Sequence, residues 1–163
     1  MARKATNKLL QKAKKSKSDE FYTQLCDIEN ELKHYKTHFQ NKVVFCNCDD
    51  PRVSNFFKYF FFIFRELGLK KLITACYKEQ TADLFNDGSG ETGFFSEYTG
   101  DDKKIGQSNM TDIVYFHGDG DFRNSESIEL LKKSDIVVTN PPFSLFREYV
   151  EQLVKHDKKF LII

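Results

Sequence analysis

Apolar and polar positions along this chain fall into two alternating patterns. Short, nearly unbroken runs of apolar or β-branched residues occur at 42–48, 71–76, 111–117, 136–139 and 159–163, each the length of a strand buried on both faces. Between them lie segments with helical spacing. Leu25, Ile28, Leu32 and Tyr35 share a face and predict a helix over 24–36. Asp50 as N-cap and Pro51 as first helical residue predict a second helix over 51–67, ended by Gly68. Its stretch from Phe56 to Phe64 is apolar nearly all round, so it is expected to be buried on most sides: on the sheet, on the first helix and on something outside this chain. A short helix is expected over 125–132. Another is expected over 144–156, with Leu145, Tyr149, Val150 and Leu153 on one face. Residues 81–110 are polar and Gly-rich. Phe94, Phe95, Tyr98 and the turn from Thr99 to Asp102 predict an inserted β-hairpin there, either a lid or a simple excursion. Strand and helix in alternation predict an α/β domain around a parallel sheet. Since the last apolar run stops without closing, a piece of a longer protein is expected.

The fourth run leads directly into Asn140-Pro141-Pro142-Phe143. In an open α/β sheet, ligands sit at the carboxyl ends of the strands. Proline lacks an N–H and has a fixed φ, so Pro141-Pro142 forms a stiff extended elbow, and Asn140 before it is held extended. The Asn140 amide oxygen and the Pro141 carbonyl can then accept both hydrogens of one amino group. An aromatic amine is a poor nucleophile because its lone pair is delocalised into the ring. Two acceptors on its hydrogens push it toward a tetrahedral, nucleophilic geometry. Phe143 can stack on the base and hold it in line with an electrophile. Without that chemistry, the same residues make a proline-stiffened turn.

Composition narrows the class. The chain has 163 residues, one domain's worth, and 30% of them are charged. No apolar run approaches the ~20 residues of a transmembrane helix, and no secretory signal opens the chain, so neither membrane nor export is expected. Cys26, Cys46, Cys48 and Cys76 have no regular metal spacing; they read as reduced cytoplasmic thiols, with no metal. A net charge of +1 conceals an asymmetry. Residues 1–18 hold seven Lys or Arg and no acid, leaving eighteen basic against twenty-four acidic side chains. Such an arm suits a polyanion, or is simply a solvated terminus.

Taken together, these elements resemble a known family. Asn140-Pro141-Pro142-Phe143 looks like the catalytic motif of amino-group methyltransferases that use S-adenosyl-L-methionine. The stretch from Asp19 to Thr23 resembles the N-terminal cofactor-binding segment of adenine methyltransferases, which implies methionine-end contacts for Tyr22 and Thr23; Phe21 is equally an aromatic anchor. The turn Asn47-Cys48-Asp49-Asp50-Pro51 stands where the family usually carries a Gly-rich loop. Its lack of glycine argues against a dinucleotide site. S-adenosylmethionine has no phosphate, and Asp49 or Asp50 suits its ammonium group; helix capping is the other role for Asp50. Tyr77 and Lys78 stand where an acid commonly binds the ribose, with Glu79 late. Gly120-Asp121-Phe122 resembles the adenine-binding element: Asp121 would accept the adenine amino hydrogens and Phe122 would cover the ring. The alternative is an Asp-Gly turn. His117 reads as structural.

The order of these motifs resembles the N-terminal catalytic half of adenine-specific DNA methyltransferases of the EcoRI-type branch. The resemblance implies a Rossmann-like methyltransferase fold, cut off after the fifth strand begins. It makes 1–17 a basic flexible arm and 18–163 the N-terminal part of the catalytic domain, without the target-recognition region. It further implies a cytoplasmic bacterial, phage or mobile-element enzyme of a restriction-modification system, acting on double-stranded DNA with a flipped adenine. The cofactor would lie across the ends of strands one to three, and the fragment alone need not be active. A protein glutamine methyltransferase, which also uses Asn-Pro-Pro-aromatic, and a non-catalytic nucleic-acid-binding module of the same fold are the alternatives.

Overall fold

The computed structural model describes residues 24–47, 50–78, 92–101 and 112–163. The central apolar runs are strands because both their faces are covered. In β1 (Val43–Asn47) all five residues are buried, as are the four of β5 (Ile136–Thr139) and all but the first of β2 (Lys71–Cys76). Successive side chains alternate between two cores. Val44, Cys46, Leu72, Ile136 and Val138 face one core, with Ile28 and Leu32 of α1 (Leu25–Leu32) and the aromatic residues of α2 (Asn55–Phe62). Val43, Phe45, Ile73, Ala75 and Val137 face the other. There they meet Leu130 and Leu131 of α3 (Ser125–Lys133) and Tyr149 and Leu153 of α4 (Phe146–Lys155). The described residues thus form three layers, helix on sheet on helix.

The sheet has six strands in the order β4-β3-β2-β1-β5-β6, with β3 at Phe94–Tyr98, β4 at Ile113–Tyr115 and β6 at Lys159–Ile162. β1 pairs in parallel with β2 and β5, and β5 with β6. From β1 the chain steps outward to β2, β3 and β4, then returns to the other side of β1 as β5. The strand order reverses between β1 and β5, and a reversal of this kind opens a crevice at the carboxyl ends.

The expected purely parallel sheet is corrected here. β3 pairs antiparallel with β2 from Leu72 opposite Tyr98 to Cys76 opposite Phe94, and β4 pairs antiparallel with β3. The inserted β-hairpin expected around 94–102, as a lid or an excursion, has its 94–98 segment as an interior strand of the sheet, and the expected third strand stands two places from β2. Gly100, with φ +83°, turns the chain at the end of β3; a side chain there would press on the Phe64 ring. The second helix also differs. Asp50 accepts the Arg52 N–H at 2.9 Å in an Asx turn, and Ser54 Oγ caps α2 by accepting the Phe57 N–H at 3.1 Å. Within its aromatic run Phe56, Phe57, Tyr59 and Phe60 are buried, whereas Phe62 is 74% exposed. The first helix stops at Leu32, and Lys36–Phe39 form a separate 3-10 turn that buries Phe39. The last helix is preceded by a 3-10 turn, Phe143–Leu145.

Candidate functional site

The carboxyl edge of the sheet gathers the loops after β1, β2, β4 and β5. At the reversal, the buried Thr139 hydroxyl donates to the Asn47 carbonyl, tying the end of β5 to the end of β1. Asn47 is 3% exposed. Asn140 follows Thr139 and is half-buried, Pro141 is buried, and Pro142 is extended at φ −54°, ψ 136°. The elbow ends where the Pro142 carbonyl accepts the Leu145 N–H at 3.0 Å, which starts the 3-10 turn. Phe143 leaves that turn 64% exposed, unlike the phenylalanines that fill the cores. The elbow thus carries a half-buried amide and, three residues on, an exposed aromatic ring, two groups that can hydrogen-bond and stack.

The loop after β4 reaches the end of β2 although β3 lies between the two strands. The Asp119 carbonyl accepts the Lys78 N–H at 2.9 Å, and the Gly118 carbonyl accepts the Gly93 N–H at 3.0 Å. Gly120 sits at φ +78°, and a Cβ there would come within 2.8 Å of the Cys76 carbonyl, so only glycine permits this approach. Asp119 Oδ1 accepts from the Asp121 N–H at 2.9 Å and from Asn124 Nδ2 at 2.8 Å. Ser127 Oγ donates to the Gly120 carbonyl, and Gln152 Nε2 to the Phe122 carbonyl. The Phe122 ring is 5% exposed and packs edge-to-face on Tyr149 at 5.2 Å. As placed, it anchors the loop on α4.

Two acids at this edge are latched in the same way. Arg123 donates to Asp121 from Nε at 2.8 Å, from Nη2 at 2.6 Å and from its own N–H at 2.8 Å, and its guanidinium lies over the Phe122 ring. These bonds hold the Asp121 carboxyl below the usual carboxylate range, so it is an acceptor at neutral pH. Arg52 likewise donates to Asp50 from Nε at 2.9 Å and from Nη2 at 2.6 Å, and lies over the Phe94 ring at 4.7 Å. Burial pushes the Asp50 carboxyl up, but the hydrogen bonds and charge of Arg52, with Lys78 nearby, outweigh it and leave the group lowered. Sequence reasoning missed both arginines. The signal was an Asp-x-Arg repeat, at 50–52 and 121–123, each copy shortly after a strand. Tyr22, Thr23, Cys48 and Asp49, expected to line the same edge, lie outside the described residues. Among the described residues, no group of three or more His, Cys, Asp or Glu could hold a metal ion, and no helix is long and apolar enough to cross a membrane.

His117, 97% exposed at the side chain, closes the other end of the β4 loop. Its N–H donates to Glu126 at 3.1 Å and its Nδ1 lies 2.9 Å from Glu126 Oε1. The Glu126 carboxylate raises the His117 pKa above its ordinary 6.5. Any stability this adds is fully present below 6.5 and is lost as pH rises through the raised value. A histidine proton-resonance titration is expected to give a His117 midpoint above 6.5, and Glu126→Gln is expected to bring it down. An unchanged midpoint in the variant would show the contact does not form in solution.

A family described as adenine-specific methyltransferase EcoRI matches residues 9–163. The chain is 66% identical over 163 residues to the Type II methyltransferase M.EcoRI of Escherichia coli, covering 100% of this chain and 50% of that protein. It is 42% identical over 153 residues to the Type II methyltransferase M.MgeORF184P of Mycoplasma genitalium, and 43% identical over 152 residues to M.MpnI of Mycoplasma pneumoniae. Each of those matches covers 93% of this chain and 42% of the relative, so the chain spans half the length or less of the curated relatives it matches. No solved structure matches. A match over nearly the whole chain, and two-thirds identity along all of it, show that this chain belongs to the EcoRI adenine-specific methyltransferase family.

Proposed function

We propose that this chain carries the methyl-transfer centre of a DNA methyltransferase that acts on the exocyclic N6 amine of adenine, as the modification enzyme of a restriction-modification system. The observation that carries the reading is the position of Asn140-Pro141-Pro142-Phe143, at the carboxyl end of β5 where the strand order reverses beside β1. In this reading Asn140 Oδ1 and the Pro141 carbonyl accept the two amine hydrogens. They also stabilise the positive charge that builds on the nitrogen as it bonds to the methyl carbon. Phe143, presented to solvent, stacks on the base and fixes its plane. The adenine must leave the duplex to reach an edge of this shape, at a cost of roughly a few kcal/mol. The stacking ring and two acceptors offset part of that cost.

S-adenosyl-L-methionine, when bound, supplies an electrophilic methyl group on a sulfonium. The donor set at the edge fits its other parts. Asp121 is ionised, as an acceptor for an adenine amino group must be, and its loop is bonded to the end of β2 through the Asp119 carbonyl. Asp50, with Asp49 beside it in sequence, offers carboxylate to an ammonium group, and the buried Asn47 ends the strand beneath them. Phe122 fixes the loop that carries Asp121. Tyr22 and Thr23 complete the methionine end in this reading, residues 1–17 act as a basic arm toward double-stranded DNA, and 18–163 form the N-terminal part of a Rossmann-like catalytic domain. The bacterial cytoplasm, where the DNA is, is its place of action.

Calorimetric titration with S-adenosylhomocysteine tests this. The chain is expected to bind it, and Asp121→Ala is expected to weaken binding roughly tenfold or more, the worth of a hydrogen bond to a charged group. Transfer of labelled methyl to adenine in duplex DNA would complete the case. Absence of binding, or labelling of a protein glutamine instead, would overturn the reading.

A further inference from the structure

The two Asp-Arg latches differ in one respect. All three guanidinium nitrogens of Arg123 are taken by acids, because Nη1 donates to Glu148 Oε2 at 3.1 Å while Nε and Nη2 bind Asp121. Arg52 binds Asp50 through Nε and Nη2, and its Nη1 meets no acceptor among the described residues. Its Nη1–Nη2 edge is therefore directed away from the latch. Asp50 and the Phe94 ring fix the plane of the guanidinium, and its side chain is 43% exposed. A planar fork held rigid on one side and open on the other is the geometry that receives a carboxylate or phosphate through two parallel hydrogen bonds. The latch also presents opposite charges side by side. The α-amino acid end of a ligand, itself a zwitterion, would meet Asp50 with its ammonium and Arg52 with its carboxylate.

Resting on the function proposed above, we infer that Arg52 is the oxyanion-receiving residue of this edge. The oxyanion is the α-carboxylate at the methionine end of the cofactor, and a DNA phosphate is the other source of the same chemistry. Asp50 then has two tasks, aiming Arg52 and facing the ammonium. Arg123, already filled by two acids, has no such task.

Calorimetry on three ligands separates the possibilities. They are S-adenosylhomocysteine, its decarboxylated analogue that keeps the amine, and duplex DNA. Arg52→Gln is expected to weaken S-adenosylhomocysteine at least about tenfold and to change the decarboxylated analogue less than about twofold, because only the former carries the oxyanion. If cofactor-product affinity is unchanged while DNA affinity falls and its log–log salt slope shrinks by about one, the oxyanion is a phosphate. A variant that matches the parent on all three ligands overturns the assignment. Should Arg52→Gln lower the melting temperature enough to obscure binding, Arg52→Lys carries the same test, since it keeps the charge and lacks the fork. A parent chain that binds neither nucleoside overturns the methyltransferase reading itself, and this inference with it. Parent binding of all three ligands that Arg52→Gln leaves intact overturns the inference alone.

Discussion

Replacing Asn140 with alanine is expected to lower methyl transfer to adenine roughly 100- to 1,000-fold, the scale of losing one preorganised hydrogen-bond partner of a transition state. S-adenosylhomocysteine affinity is expected to stay within about twofold. The split follows from where Asn140 sits. It is half-buried at the end of β5, held extended by the proline that follows and next to the end of β1, while β1, β2 and β3 stand between β5 and β4, whose loop carries Asp121. In the proposed role its amide accepts from the substrate amine, and that bond strengthens as positive charge develops on the nitrogen. Its loss therefore falls on the rate of transfer. Single-turnover methylation with saturating cofactor reads this directly. A variant that keeps the parent rate would remove Asn140 from the chemistry, and one that loses cofactor-product binding equally would make it a structural residue.

The largest effect on stability is expected at Phe60. It is fully buried on α2, with its ring edge-to-face at 5.2 Å to both Phe39 and Tyr59. Phe60→Ala removes those contacts and leaves a cavity that a sheet and two helices cannot close, which costs about 3–5 kcal/mol. Against a total stability of about 5–15 kcal/mol for a native protein, that is a large fraction. Phe62, two residues along and 74% exposed, is the control: Phe62→Ala is expected to fall within about 0.5 kcal/mol of the parent. Urea unfolding with an unchanged slope measures both. Equal midpoints for the two variants would mean that the aromatic run is not divided between core and surface as described.

That division shows what local pattern leaves open. A run of aromatic residues signals burial. Which ring is left outside depends on where the sheet lies, and the sheet is assembled from strands far apart in sequence. The cap of α2 shows the same limit in another way. Asp50-Pro51 satisfies the rules for a helix start, yet the Asp50 side chain folds back on Arg52 and Ser54 takes the cap. Both choices are locally sound, and the extra four residues place Arg52 over Phe94 of a distant strand. The extended elbow at Asn140 to Pro142 was legible because a buried strand running into two prolines has few conformations to choose from. The tight loop that carries Asp121 was legible because Asp beside glycine marks one. The burial of the Phe122 ring was not, since it depends on packing against Tyr149, far along the chain.

By itself, then, the sequence determined the positions of the strands, the two-faced burial of β1, β2 and β5 (though not the exposure of the edge strands β4 and β6), the elbow after β5 and the family to which the chain belongs. These are properties of short segments, set by side-chain period, by proline geometry and by the order of motifs. The tertiary structure alone decided the strand order, the antiparallel insertion of β3 between β2 and β4, and the reversal that brings the end of β1 to the end of β5. It also decided that one arginine latch is filled by two acids while the other, among the described residues, binds one. Strand pairing and ion pairing across loops join residues many positions apart, and no local preference encodes which of several satisfactory partners will be close.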